Sequence, residues 1–289
     1  MQVGVTGASG FLGSHLTNAL NKLAGFKVNT VKSRSLKKFS DINKLKSFVE
    51  NLDLIYHIAG VNRGTNEEIL KGNIQTTFNL LEAMKKYGKS SPRIIFTSSS
   101  QVYKKIGQPE KLISETYKAE PETIFGIAKK TSEDLIRLSG FEHAIIRLAN
   151  VYGPGCRPNY NSVIATFCHK SVIKEPLKID GDGYQKRDFI YIEDVIKAMI
   201  LAGNKTDDFI SGVYNIGSNR TTSLRQVVRS IKSLGAKTKA SYSLNTSTGK
   251  NSFPLDAKRF RKQFKWAPKT TLRSGIKNTL LWFQKEVAR

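Results

Sequence analysis

Gly7-Ala-Ser9-Gly10-Phe11-Leu12-Gly13 spaces three glycines three residues apart, directly after a short apolar stretch and directly before an amphipathic one. Such a turn has a definite chemistry. The first glycine permits a tight reversal, the second lets backbone approach a pyrophosphate, and the third lets the following helix pack closely on the strand. The phosphates then meet open N–H groups and the positive end of a helix dipole. The spacing therefore predicts a dinucleotide-phosphate site built by Gly7, Ser9, Gly10, Phe11, Leu12 and Gly13. An ordinary glycine-rich turn is the alternative, and the strand–turn–helix context argues against it. Farther on, Phe125 and Lys129 stand four residues apart in an amphipathic stretch, a spacing that puts both on one helix face.

The elements that must hold these residues alternate along the chain. Residues 2–6 read as a strand, and further apolar strands fall at Phe26–Val31, Leu54–Ile58, Arg93–Thr97 and Ala144–Leu148. Helical periodicity occupies Ser14–Leu23, Ile42–Glu50, Ile74–Lys86 and Ile124–Leu138. Strands and helices alternating at this pitch predict an α/β fold, a Rossmann-type doubly wound and mostly parallel sheet. After Asn150 the pattern changes, with Gly153-Pro-Gly and Pro158 breaking structure and later elements shorter. We read 1–150 as the dinucleotide-binding domain. Residues 151–289 read as a smaller C-terminal substrate-binding lobe interleaved with the last sheet elements.

Composition narrows the class. A chain of 289 residues with 39% hydrophobic content can bury a full core. No apolar run approaches the roughly 20 residues that cross a bilayer, so no membrane association is expected. No signal peptide is read at the N-terminus, and Cys156 and Cys168 lack metal-ligand spacing. No metal is expected, and a reducing cytoplasm is the expected setting. The balance of 47 Lys+Arg against 23 Asp+Glu gives a formal charge of +24, a field that attracts polyanions. The cations are scattered and no aromatic-rich RNA-binding motif interleaves them. We read them as a solvated basic surface that would also favour an anionic sugar-nucleotide, and keep nucleic-acid binding as the alternative.

From the glycine turn onward the chain resembles the extended short-chain dehydrogenase/reductase family of nucleotide-sugar epimerases, dehydratases and reductases, over nearly its whole length. Asp41-Ile42 resembles the family's adenine-contacting pair. His57-Ile-Ala59-Gly60 resembles the cofactor-supporting segment after a sheet strand, and Asn73 a helix asparagine that braces the sheet. Where NAD-selective members carry an acidic residue for the ribose hydroxyls, this chain reads Lys32-Ser33-Arg34. Lysine and arginine attract a 2′-phosphate, so the expected cofactor is NAD or NADP, with NADP favoured.

The resemblance also implies a catalytic set. Ser99 matches the family's catalytic hydroxyl residue, and Lys129 the lysine of its Tyr-x-x-x-Lys motif, which lowers the tyrosine pKa and orients the cofactor ribose. Phe125 stands where that tyrosine belongs, and a phenylalanine has no proton to exchange. Tyr103 is a conceivable stand-in, with packing beside the strand end as its other reading. Ser100-Gln101 replaces the Asp-Glu pair of the 4,6-dehydratases, which disfavours dehydration. The reading is therefore a UDP-sugar 4-epimerase, an isomerase with impaired proton transfer by nature or by engineering.

On the substrate side the resemblance assigns Asn150 near the diphosphate and Arg187 to a nucleotide phosphate, a surface pairing of Arg187 with Asp182 or Asp188 being the alternative. Thr246 stands where many epimerases place a second phosphate-binding arginine, with Lys250 nearby. The segments His57–Arg63 and Cys156–Cys168 resemble capsule-precursor C4-reductases, which reduce a UDP-4-keto-6-deoxy sugar with NADPH and usually carry a further cupin domain. A reductase is thus a second reading, and a catalytically silent RNA-binding or regulatory protein a third. Relatives dimerise through helices corresponding to residues 74–87 and 124–138, so a homodimer is expected.

Overall fold

The computed structural model describes residues 1–31, 39–89, 92–104, 111–160, 162–204, 208–243 and 253–288. Lys32, Ser33, Arg34, Thr246 and Lys250 lie outside the described residues. In chain order the first half comprises β1 (Gln2–Thr6), α1 (Phe11–Leu20), β2 (Lys27–Val31), a 3₁₀ turn at Ile42–Leu45 running into α2 (Lys46–Val49), and β3 (Leu54–His57). Then come α3 (Asn66–Leu70), a π turn at Lys71–Gln75, α4 (Thr76–Tyr87), β4 (Arg93–Ser99), α5 (Ile124–Leu138) and β5 (His143–Leu148).

These strands form one sheet with β10 (Gly212–Ile216), in the order β10-β5-β4-β3-β1-β2, and every pairing is parallel. The strand order reverses between β1 and β3. In doubly wound sheets ligands bind in the crevice beyond the carboxyl ends of the strands at such a switch point. Here those ends are Thr6, which leads into the glycine turn, and His57, which leads into Ile58–Gly60.

Consecutive apolar residues in the strands explain why both sheet faces are covered, since successive side chains point to opposite sides. Tyr56, Ile95 and Ile146 join a core with Leu16 and Leu20 of α1. Their neighbours Ile55, Ile94 and Ile145 join a second core with Leu80 and Met84 of α4 and Ile136 of α5. At ~25 cal/mol per Å² of apolar surface, each such fully buried aliphatic contributes about 1.5–3 kcal/mol.

The second half is built from shorter pieces. They are β6 (Asn150–Tyr152), α6 (Val163–Val172), β7 (Leu177–Asp180), β8 (Lys186–Arg187), β9 (Phe189–Tyr191), α7 (Ile192–Gly203), β11 (Thr222–Ser223), α8 (Leu224–Ser233), β12 (Ala240–Ser243), α9 (Lys258–Phe264) and α10 (Leu272–Val287). The strands pair two by two, β6 with β9, β7 with β12 and β8 with β11. β10 lies in the large sheet, so the second half is interleaved with the first. Among the described residues no helix is long and apolar enough to cross a membrane.

Candidate active site

The glycine turn has the geometry its spacing predicts. Gly7 sits at φ +72, a conformation that L side chains rarely adopt, and a Cβ there would lie 2.8 Å from the amide nitrogen of Ala59. A Cβ on Gly13 would run into the Gly7 carbonyl, 2.7 Å from its carbon, and one on Gly10 would stand 3.2 Å from the Gly7 oxygen. Only glycine lets β1, the turn and α1 come this close. Gly10 N–H donates to Gly7 O at 2.9 Å. Gly10 is also the extended N-cap of α1 and offers no side-chain cap, so the amides of the first helical turn are left for an anion. The helix begins at Phe11, three residues earlier than its periodicity suggests, because it starts inside the turn.

A cleft of about 1030 Å³ opens in front of these amides. Gly7, Ser9, Gly10, Phe11, Leu12, Gly13, Ala59, Phe125 and Lys129 all line it, so the structure brings most of the expected site together. Thr97 and Ser98 from the end of β4 face it as well. Ser99 follows them, caps a short 3₁₀ turn and accepts a hydrogen bond from Gln101 N at 3.2 Å; it does not line the cleft.

Phe125 and Lys129 occupy adjacent turns of α5. Thr123 starts that helix by accepting from Gly126 N at 3.0 Å, the usual way a threonine satisfies an open amide. Lys129 is buried, 5% exposed, and its ammonium lies between aromatic rings. It lies 4.7 Å from the centre of the Phe96 ring and 5.8 Å from that of Phe125. Burial lowers its pKa to about 8, against the opposing attraction of Glu133. One turn on, Glu133 is itself buried and accepts from Arg147 Nε at 3.0 Å and Nη2 at 2.6 Å, and from the Ser98 hydroxyl. That network pins α5 to β4 and β5 beneath the cleft.

His57 is wholly enclosed, with one ring nitrogen 2.9 Å from Thr6 Oγ1 and the other 2.9 Å from Thr77 Oγ1. Burial, with the positive charge of Lys129 adding to it, lowers its pKa to about 3, so the ring is neutral. Asn73 donates to Val61 O at 2.6 Å and Ile69 O at 2.8 Å, which ties the π turn to the loop after β3.

Several expected residues stand elsewhere. Asp41 caps the 3₁₀ turn by accepting from Asn43 N at 2.9 Å, and Ile42 packs on the second core. Asn150 turns its amide to Asp188 O at 2.9 Å. Arg187 is half-buried on β8 and donates to Lys186 O at 2.8 Å. None of the four lines the cleft. The Asp188 carboxylate accepts from Ser218 N and Oγ and from Leu255 N, and burial raises its pKa to about 6. Tyr103 is buried under the Arg147 guanidinium, donates to Asn215 Oδ1 at 2.8 Å and does not reach the cleft, which leaves the packing role.

The sequence reading missed part of the opposite wall. Asn62, Gly155, Cys156, Arg157 and Tyr160 line the cleft, and Arg63 sits 5.7 Å over the Tyr160 ring. Their signal was present in the Cys156–Tyr160 segment, noted only as a likeness. Glu133 also escaped, although a carboxylate one turn after Lys129 on a buried helix face marks an internal ion pair.

The model of the "NAD dependent epimerase/dehydratase family" matches residues 3–217. A putative UDP-glucose 4-epimerase of Methanocaldococcus jannaschii is 30% identical, covering 97% of each chain. The UDP-2-acetamido-2,6-beta-L-arabino-hexul-4-ose reductase of Pseudomonas aeruginosa is 32% identical over 69% of this chain and 49% of its own length. Among solved structures, the UDP-glucuronic acid 4-epimerase of Bacillus cereus, in complex with UDP-glucuronic acid and NAD, superposes with a TM-score of 0.84. It is 25% identical, covering 99% of this chain and all of that one (100%).

Proposed function

We propose that this chain, which belongs to the NAD-dependent epimerase/dehydratase family, binds a nicotinamide dinucleotide and a UDP-sugar and inverts the sugar at C4. The observation that carries the reading is the cleft itself: a glycine turn that admits no Cβ opens onto the face of α5 that bears Phe125 and Lys129. The cradle fits a pyrophosphate, whose oxygens the first-turn amides of Phe11, Leu12 and Gly13 would hold, with Ser9 and Gly10 beside them. Asp41 and Ile42 would flank the adenine, Ala59 the adjoining ribose, and Lys129 the nicotinamide ribose. When bound, the cofactor supplies a hydride acceptor and donor.

The chain's own residues do the remaining work. Ser99 orients the sugar hydroxyl, Asn150 lies toward the diphosphate, and Arg187 neutralises a phosphate. Residues 1–150 serve the cofactor and 151–289 the sugar-nucleotide, the two parts sharing one sheet through β10. Lys32 and Arg34 favour NADP by their charge alone, since a guanidinium or ammonium attracts a 2′-phosphate. The protein works in the cytoplasm as a homodimer. Phe78 on α4 and Ile127 on α5, 43% and 42% exposed, supply an apolar face for the partner.

Incubation of the purified chain with NAD or NADP and UDP-sugars tests this. Cofactor binding and interconversion of C4 stereoisomers without net cofactor consumption are expected. A folded chain with no affinity for any pyridine nucleotide would end the reading. Reduction of a UDP-4-keto sugar is the second reading, supported by the likeness to the Pseudomonas reductase. It predicts stoichiometric consumption of NADPH.

A further inference from the structure

We propose that Lys129 itself exchanges the substrate's hydroxyl proton in this cleft, with Phe125 serving only as an aromatic wall. The inference rests on the epimerase or reductase reading above and names the acid–base group of that same site.

Three observations carry it. First, the aromatic side chain one turn before Lys129 has no exchangeable proton, yet both residues face the cleft. Second, the Lys129 ammonium is bounded by the Phe96 and Phe125 rings, and among the described residues no hydrogen-bond acceptor holds it. Glu133, the neighbouring carboxylate, is occupied by Arg147 and Ser98. Third, Gly60 packs so closely on the nitrogen and on Asn73 that no side chain fits there. A Cβ on Gly60 would stand 3.2 Å from Lys129 Nζ, and at the same spot the buried Asn73 Oδ1 has no hydrogen-bond partner. The lysine nitrogen and the unmet amide oxygen thus both border Gly60, which lines the cleft.

The electrostatic surroundings agree. Lys129 feels the charge of Glu133 from its own helix, and its own charge acts on neutral His57 from β3; Glu133 is in turn paired to Arg147 from β5. Burial brings its ionisation to about 8, near the range where a group can both take and return a proton. The rival cleft groups are less suited. Burial raises the Cys156 thiol to about 11, and an arginine side chain offers donors but no acceptor. Tyr160 is the remaining rival.

The step balances simply. The neutral amine of Lys129 takes the proton of the C4 hydroxyl, so an N–H bond forms as the O–H bond breaks. The O–H electron pair becomes the second bond of the carbonyl, and the C4 hydrogen would depart with its electron pair to the hydride acceptor that a bound dinucleotide would supply. In the reverse direction the ammonium returns the proton.

The test combines titration with turnover. In lysine-labelled apoprotein, the Lys129 side-chain resonance, assigned by its loss in Lys129→Arg, should titrate near pH 8. A midpoint above 10 overturns the proposal whatever the activity. Turnover of a UDP-sugar should rise with the same midpoint and fall at least about 100-fold in Lys129→Arg, a variant that keeps the charge. Turnover that survives in Lys129→Arg, or that vanishes with its pH dependence in Tyr160→Phe, also overturns it. If Phe125→Tyr turns over the sugar and the parent does not at any pH, the proposal alone fails. If neither does, the functional reading fails with it.

Discussion

The ammonium of Lys129 stands 5.8 Å from the centre of the Phe125 ring, one helical turn away, and the two side chains share one wall of the cleft. The lysine therefore meets a bare aromatic ring, where the reading proposed above would place a phenol. Restoring the oxygen as Phe125→Tyr gives the lysine a partner and the substrate a second proton acceptor. We expect UDP-sugar turnover to rise about 10²–10⁴-fold, the usual worth of a positioned acid–base group. Steady-state rates of the two proteins at matched pH check it, and equal rates contradict it.

Gly13→Ala should abolish dinucleotide binding. The added methyl would overlap the Gly7 carbonyl, and backbone has to move because neither partner is a flexible side chain. We expect calorimetry to show no cofactor binding while far-UV circular dichroism stays that of the parent. Undiminished affinity would mean that the phosphates sit elsewhere.

His57 predicts how the fold responds to acid. Its native pKa, about 3, lies below that of an unfolded histidine, about 6.5. The unfolded state thus binds the extra proton first, and stability is lost as pH falls below about 6.5, by about 1.4 kcal/mol per pH unit for this one group. Urea midpoints of the parent and His57→Asn between pH 7.5 and 5.5 measure it. The variant should lose that part of the slope, and parallel slopes would contradict the assignment.

Phe78 and Ile127 give the dimer a direct test. Both are exposed apolar side chains on neighbouring helices, so Phe78→Glu should leave the monomer folded while placing a charge in the contact. Analytical ultracentrifugation should show a dimer for the parent and a monomer for the variant. A parent that sediments as a monomer at micromolar concentration refutes the expectation.

Five of the six strands of the large sheet were legible, the central ones as nearly continuous apolar runs, as parallel strands covered on both faces must be; β10, Gly212–Ile216, was not. α5 matched its predicted span, Ile124–Leu138, since strong periodicity and the Thr123 cap point the same way. Residues 42–50 split into a 3₁₀ turn and a short helix, a distinction that periodicity does not carry. The π turn at Lys71–Gln75 was equally silent in the sequence. The second half of the chain was hidden for a different reason. Apart from β10, its strands are two to four residues long, and partners such as β7 and β12 meet across some sixty residues. Of the residues lining the cleft, Gly7, Gly10 and Gly13 were readable from spacing and Lys129 from the family resemblance. The wall formed by Arg157 and Tyr160 depends on how the second half folds back, which no local pattern encodes.

The ion pair between Glu133 and Arg147, with the Ser98 hydroxyl attached to it, fixes α5 without any help from the residue at position 125. A ring there stays in place whether or not it bears an oxygen. Phenylalanine and tyrosine codons differ by one base, so a lineage could gain or lose the phenol in one mutational event and leave the scaffold untouched. In such an architecture catalytic rate and fold can drift independently, and a slow member can persist as a well-folded protein ready for reversion.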